Sequence, residues 1–256
     1  MITSAQNPKL KLTRALLGRA KERREAGAFI IEGVRLVEDA VMSHWEFQYA
    51  LYDETLSERG RLQVESLRSN GVDVEEISTS LMKSLSDTES PQGIIAVLNN
   101  YQLPFTNSLN FTLIPDQVRD PGNLGTLLRS AAAAGSQAAL IPPDTTDPFS
   151  PKVLRAGMGA HFRLPIRVLS WDEIEQVVKV NGLKVFLADM DGTSCWELNL
   201  RQPLALIIGG EANGASESAR KMADQKIKIP MQAGVESLNA GAAGSVLMFE
   251  AARQRL

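Results

Sequence analysis

The feature that most constrains this chain is an uninterrupted apolar run that stops at paired glycines, Leu204-Ala205-Leu206-Ile207-Ile208-Gly209-Gly210, and that has counterparts along the C-terminal half. These are FTLIP at 111–115, QAALI at 137–141, LKVFLA at 183–188 and IKIPM at 227–231. Runs this short and this continuously apolar suit strands buried on both faces. Helical periodicity fills the gaps: a helix from Gly122, others near 150–158, 171–181 and 215–223, and one at the C-terminus. Strands alternating with helices predict an α/β domain built on a mostly parallel sheet covered on both sides. Its ligand site is expected beyond the strand C-termini, where glycines and polar residues collect.

The first hundred residues read as a separate, smaller α/β module. AFII at 28–31, FQYALY at 47–52, a short stretch at 72–77 and GIIAVL at 93–98 are strand candidates. Between them lie a periodic segment with Val34, Leu36, Val37 and Val41 and a polar helix candidate near 54–70. Residues 99–109, NNYQLPFTNSL, lack periodicity and read as a linker. The expected organisation is therefore 1–98, a linker at 99–109, and 110–256.

Composition narrows the functional classes. With 44% apolar and 22% charged residues the chain can build a core without disulfides, and its one cysteine, Cys195, excludes an internal disulfide framework. No secretory leader and no apolar run near the roughly 20 residues of a membrane span is evident, so a soluble cytoplasmic protein without a membrane partner is expected. The net charge of −3 hides an asymmetry: residues 1–35 hold eight Lys/Arg against three Glu. Lys9, Lys11, Arg14 and Arg19 in that stretch are candidates for neutralising nucleic-acid phosphates, the alternative being a solvated basic helix.

Three segments concentrate chemistry-bearing residues. In DQVRDPGNLGTLLRSAAAAG, residues 116–135, Pro121-Gly122 makes a turn, Asn123 is a candidate helix cap, and Arg129 lies off the Leu124, Leu127, Leu128, Ala131 stripe. In LALIIGGEANGAS, residues 204–216, Gly209 and Gly210 would let backbone approach a ligand and Glu211 projects at the same edge. In residues 227–255, Ile229, Pro230 and Met231 are expected to close a strand. Glu236, Ser237 and Asn239 then lead into a helix opening Ala240-Gly241-Ala242-Ala243-Gly244. Two glycines in a helix cost about 1 kcal/mol each, which a close approach of backbone or ligand would have to offset. Two histidines and one cysteine make a zinc site improbable and no metal is expected; a nucleophile elbow, a Walker A loop and a GxGxxG turn are absent.

In this order and spacing the three segments resemble the signature motifs of the SpoU/TrmH RNA 2′-O-methyltransferases of the SPOUT superfamily: Asp-Pro-x-Asn-x-Gly with a downstream arginine, Gly-x-Glu, and Ile-Pro-Met followed by Ser-Leu-Asn. ITSAQNPKLKLTRAL, AFIIEGVRLVEDA and SDTESPQGIIAVL resemble the N-terminal substrate-binding module of the family's ribosomal RNA members, whose fold is similar to small ribosomal RNA-binding proteins. The resemblance implies a parallel-sheet catalytic domain with a deep trefoil knot, a departure from the rule that chains do not knot. It implies a homodimer with the site at the subunit interface. It also implies S-adenosylmethionine held around Gly209, Gly210, Ile229, Met231 and Leu238, with Asn123, Arg129, Glu211, Ser237 and Asn239 at the active-site positions.

The implied reaction is methyl transfer to a ribose 2′-hydroxyl of RNA, with 23S ribosomal RNA as the expected substrate. An arginine is a reluctant base, so Arg129 is open between activating the hydroxyl and binding phosphate or developing charge. Two departures stand out. Ala240-Gly241-Ala242 replaces a bulkier Val-Ser-Val, and Asn213 stands where many members carry a charge. The competing readings are a non-catalytic RNA-binding module with a degenerate second domain, and a small-molecule enzyme using a nucleotide cofactor.

Overall fold

The computed structural model describes residues 2, 4–86, 88, 90–105, 108–211, 214–232 and 237–256; Asn213 and Glu236 lie outside these. The chain divides into two compact units, one of Met1–Tyr101 with Phe149–Arg155, the other of Gln102–Pro148 with Ala156–Leu256.

The first unit opens with two helices, α1 (Pro8–Gly18) and α2 (Ala20–Ala26), followed by β1 (Ala28–Glu32), α3 (Val34–Met42), β2 (Phe47–Tyr52), α4 (Glu58–Ser69), β3 (Asp73–Glu76), α5 (Thr79–Leu85) and β4 (Ile94–Asn99). Asn7 caps α1 by accepting from the Lys9 amide, and Pro8 sits at the first helical position, where a missing N–H costs nothing. The four strands form a mixed sheet in the order β1-β4-β2-β3, with β4 antiparallel to both neighbours and β3 parallel to β2. Leu10 and Leu16 of α1 reach its core beside Ile30, Leu51 and Val97. Helix α5 was not anticipated: seven residues are too few for a helical period to declare itself.

The second unit carries β5 (Phe111–Asp116), α6 (Pro121–Ala133), β6 (Ala138–Ile141), α7 (Pro151–Gly157), a 3-10 turn (Ala160–Phe162), β7 (Ile166–Val168), α8 (Trp171–Val180), β8 (Lys184–Ser194), β9 (Leu204–Gly209), α9 (Glu217–Met222), β10 (Gln225–Lys228) and α10 (Ala240–Arg255), with α7 running across the boundary. Six strands form the sheet β10-β8-β9-β5-β6-β7, parallel throughout, as the continuous apolar runs require. Two boundaries and one strand differ from expectation. Strand β10 ends at Lys228, so Ile229, Pro230 and Met231 follow the strand instead of closing it. β8 runs to Ser194, well past residue 188. β7, three residues long, carries too little pattern to be read.

The stretch expected to be a linker is only partly one. Leu109 is buried and Phe105 packs against the core of the second unit, while the Leu109 amide donates to Asn181 Oδ1 at 2.8 Å. No helix among the described residues is long and apolar enough to cross a membrane.

Candidate active site

The sheet's order brings the ends of three strands together. β5 runs outward to β6 and β7, and the chain returns on the other side, so β9 lies between β8 and β5. Asp116 at the end of β5 is in register with Gly209 at the end of β9. Between β8 and β10 the register shifts at Lys226/Ile227, which leaves residues 188–192 out of the ladder at the same edge. A crevice beyond the carboxyl ends at such a switch point is where open α/β sheets take ligands.

A cavity of about 310 Å³ fills that crevice. Gly209 and Gly210 form one wall, Ile229 and Met231 another, and Leu238 and Leu247 a third. All five residues expected to hold a cofactor thus share one cavity. Apolar walls bounded by backbone on two sides suit a planar heterocycle, and the edge carries charged groups. Asp189 is one of them: it accepts from Lys226 at 3.0 Å and Arg220 at 3.3 Å. Burial pushes the Asp189 carboxyl up, but the Asp191 amide, Lys226 and Arg220 outweigh it and hold it below the ordinary range.

Beside it lies a second hollow of about 230 Å³, bordered by Gln117, Arg119, Asp120 and Asn123, with Glu211 and Ala240 lining both. At that shared wall the polar side chains close a triangle. Asn123 Nδ2 donates to Glu211 Oε1 at 2.8 Å, Asn239 Nδ2 donates to the same oxygen at 2.8 Å and to Asn123 Oδ1 at 2.7 Å, and the Ala240 amide points at Glu211 Oε1 at 3.3 Å. Three segments more than a hundred residues apart in part meet here, which no local reading of any one could show.

The geometry corrects the expectation for Asn123. The N-cap of α6 is Asp120, whose carboxylate accepts from the Asn123 amide at 2.7 Å. Asn123 sits at the third helical position, and its side chain is released from capping to join the triangle. Asn239 does both jobs, since its Oδ1 caps α10 by accepting from the Ala242 amide at 3.1 Å while its amide donates inward.

The sequence from residue 110 to 249 matches the SpoU rRNA Methylase family, and residues 7–96 match the MRM3-like substrate binding domain. The chain belongs to the SpoU rRNA methylase family. Among its relatives, the 23S rRNA (guanosine(2553)-2′-O)-methyltransferase RlmP of Bacillus subtilis is 32% identical, with 97% of each chain covered. The crystal structure of the SpoU methyltransferase AviRb from Streptomyces viridochromogenes, in complex with AdoMet, superposes with a TM-score of 0.86 at 30% identity over 97% of this chain and 99% of that one. An AdoMet-bound rRNA methyltransferase from Sinorhizobium meliloti gives 0.87 at 28% identity over 100% and 98%.

Within the SpoU fold the glycines act through space more than through dihedral freedom. A Cβ on Gly210 would lie 2.2 Å from the Gln117 carbonyl oxygen, and one on Gly209 would lie 2.8 Å from the Ala215 amide nitrogen. These glycines let the backbone on either side of Glu211 lie against neighbouring backbone while Gly209 and Gly210 also line the larger cavity. Gly241 and Gly244 face α6 and β9, where a Cβ would meet Thr126 at 3.1 Å and Leu127 at 2.2 Å. That close packing of α10 offsets the helical cost of the two glycines, and Ser130 and Ser245 share a hydrogen bond of 2.7 Å across it.

Other expected site residues scatter. Arg129 is exposed on α6, lines neither hollow, and makes no ion pair or side-chain hydrogen bond among the described residues. Ser237 and Leu238 line the larger cavity, both exposed. In the first unit Lys11 and Arg19 are exposed and Arg14 donates to the Ala5 carbonyl at 2.9 Å. Lys9 is instead held between Asp73 and Glu75, 2.6 Å from the latter, so its charge is matched within the protein. Asp116, Gln117, Arg119, Asp189 and Arg220 were not singled out as site residues. Three of them stand just after apolar runs, and a search of strand ends for charge as well as glycine would have found Asp116 and Asp189.

Proposed function

We propose that this protein transfers a methyl group from S-adenosylmethionine to a ribose 2′-hydroxyl of ribosomal RNA, with 23S RNA as the substrate. The observation that carries this is the Asn123–Glu211–Asn239 triangle standing between two hollows, a donor cavity lined by Gly209, Ile229 and Leu238 and an acceptor hollow bordered by Arg119. The residues fit the donor: apolar walls for the adenine, and backbone of the Gly209–Gly210 and Ile229–Met231 segments for its polar edge. When bound, S-adenosylmethionine supplies a methyl group already activated on a sulfonium.

The protein's own groups then have to position the acceptor and manage one proton. Holding the hydroxyl in line with the donor supplies much of the acceleration, because it replaces a bimolecular encounter. Asn239 spends both amide hydrogens bracing Glu211 and Asn123, which leaves Asn123 one N–H to present to the ribose from a frame already assembled, avoiding reorganisation as charge develops. Ser237 borders the donor side and can accept a hydrogen bond from the nucleotide. Arg129 provides positive charge for a phosphate or a developing alkoxide, with proton removal left to a weaker base or water.

The proposal includes a homodimer. α10 leaves Val246 and Phe249 exposed along one stripe, with Ala242 and Arg253 on the same line, and a second copy would cover them. It would also let Arg129, outside both hollows of its own chain, serve a partner's site. A cytoplasmic location and a knotted threading of the segment leading into α10 belong to the same reading. The test is to incubate the purified protein with methyl-labelled S-adenosylmethionine and 23S RNA and map resistant ribose positions. One stoichiometric 2′-O-methyl is expected; donor binding without transfer to any ribosomal RNA would leave the non-catalytic reading standing.

A further inference from the structure

Asp116 is fully buried at the end of β5, and the reaction described above gives it no task. Its Oδ2 accepts from the Ser216 amide at 2.6 Å, and its Oδ1 has no hydrogen-bond partner among the described residues. A buried carboxylate with one oxygen unsatisfied is costly, so something at this position has to outweigh the cost of keeping it there.

What the Ser216 contact does is visible from the other end of the segment. An antiparallel bridge joins Gly210 to Gly214, with the Gly214 amide donating to the Gly210 carbonyl at 3.1 Å. Glu211 directly follows Gly210 in the chain. Gly210 is pressed against the backbone of Gln117, next to Asp116, where no Cβ would fit on it. On the far side of the bridge, Ser216 is tied to Asp116. The anchors are consecutive residues, Asp116 at the end of β5 and Gln117 just after it, and Gln117 holds the left-handed backbone conformation, φ 53°, that aims its carbonyl there.

We propose that Asp116 is a positioning residue: through Ser216 it latches the Gly210–Gly214 bridge to β5 and so sets where Glu211 meets Asn123, Asn239 and the Ala240 amide. Burial raises the Asp116 pKa above the ordinary carboxyl value, with Asp144 adding to it and the Ser216 hydrogen bond and Arg220 acting against it. The contact that ties the two segments together is the Ser216 hydrogen bond. Asp116→Asn keeps an oxygen for the Ser216 amide, whereas Asp116→Ala does not.

The inference rests on Glu211 having the role proposed for it, and a double-mutant cycle separates the two. Single-turnover methyl transfer and S-adenosylmethionine affinity are measured for wild type, Asp116→Ala, Glu211→Ala and the double variant, together with Asp116→Asn and thermal melts. The expected result is a loss of turnover on the order of tenfold or more for each alanine variant, little further loss in the double variant, and recovery in Asp116→Asn. Additive losses, or an Asp116→Asn variant as slow as the alanine one, overturn the latch. Full turnover in Glu211→Ala would instead overturn the reading of the triangle itself. If Asp116→Ala fails to fold, the cycle run on Ser216→Pro, which removes the donating amide, must show the same non-additivity with Glu211 or the proposal fails.

Discussion

Asn239→Asp separates the two jobs that Asn239 holds. As a cap for α10 the replacement is neutral, since Asp and Asn serve equally well at a helix start, and added negative charge there is favourable by a few tenths of a kcal/mol or more. Within the triangle it is disruptive. A carboxylate oxygen would stand where the amide nitrogen now lies, 2.8 Å from Glu211 Oε1, and repulsion at that distance in a water-like dielectric is about 1.5 kcal/mol. The two donated hydrogen bonds, to Glu211 and to Asn123, are lost as well, at about 1 kcal/mol each. The total, roughly 3.5 kcal/mol, corresponds to a fall of a few hundredfold in the fraction of molecules with the triangle assembled.

The site is exposed, so Glu211 can relieve the repulsion by turning into water, and global stability should change by less than about 1 kcal/mol. The assay is single-turnover methyl transfer from about pH 5 to 8, each rate normalised to wild type, with a thermal melt alongside. The variant is expected to be slower by one to two powers of ten at the alkaline end. The gap should narrow toward acid, because two adjacent carboxyls share a proton more readily than either alone. A wild-type rate in the folded variant would refute the functional importance of the triangle, and a deficit that is flat in pH would refute the electrostatic part of the reasoning.

Gly209→Val should lower S-adenosylmethionine affinity by pushing the Ala215 backbone away, so calorimetry and a melt should both register it; unchanged binding would remove Gly209 from the cavity wall. Arg129→Ala should reduce methyl transfer by roughly two to four powers of ten with donor affinity kept, and Arg129→Lys should recover little, since a point charge does not reproduce the planar fork. Joint replacement of Lys11, Arg14 and Arg19 by Ala should flatten the salt dependence of RNA binding, read from affinities across a salt series. Lys9→Met should leave that slope nearly unchanged and lower stability instead. Burial opposes the Lys9 ammonium, but the hydrogen bonds to Asp73 and Glu75 and their charges raise its pKa above the ordinary lysine value. Its contribution is therefore complete below that value and lost as pH rises through the raised one, so the stability gap to wild type should close only in strong alkali.

The α/β class, the parallel sheet and the strand edge that carries the site could be read from the sequence. Ile207 and its neighbours have to be buried on both faces, and only one kind of sheet does that. Glu211 and Asn123 could be named because each follows glycine beyond an apolar run, and Asn239 because it leads into the glycine-containing helix and matches the Ser-Leu-Asn motif. What they do there was decided by folding. Asn123 looked like a cap because it precedes an apolar period, yet Asp120, three residues earlier, captures its amide and frees the side chain. Lys9 looked like part of a basic patch, yet β3 brings Asp73 and Glu75 to it from more than sixty residues away. The glycines at 209 and 210 announced a close approach without saying of what, since the Gln117 and Ala215 backbones reach them only once β5 and β9 are paired. Local pattern fixes which face of an element is buried, because burial repeats with the period of the backbone. Which group stands across a gap of three ångströms depends on pairings distant in sequence, and those carry no period at all.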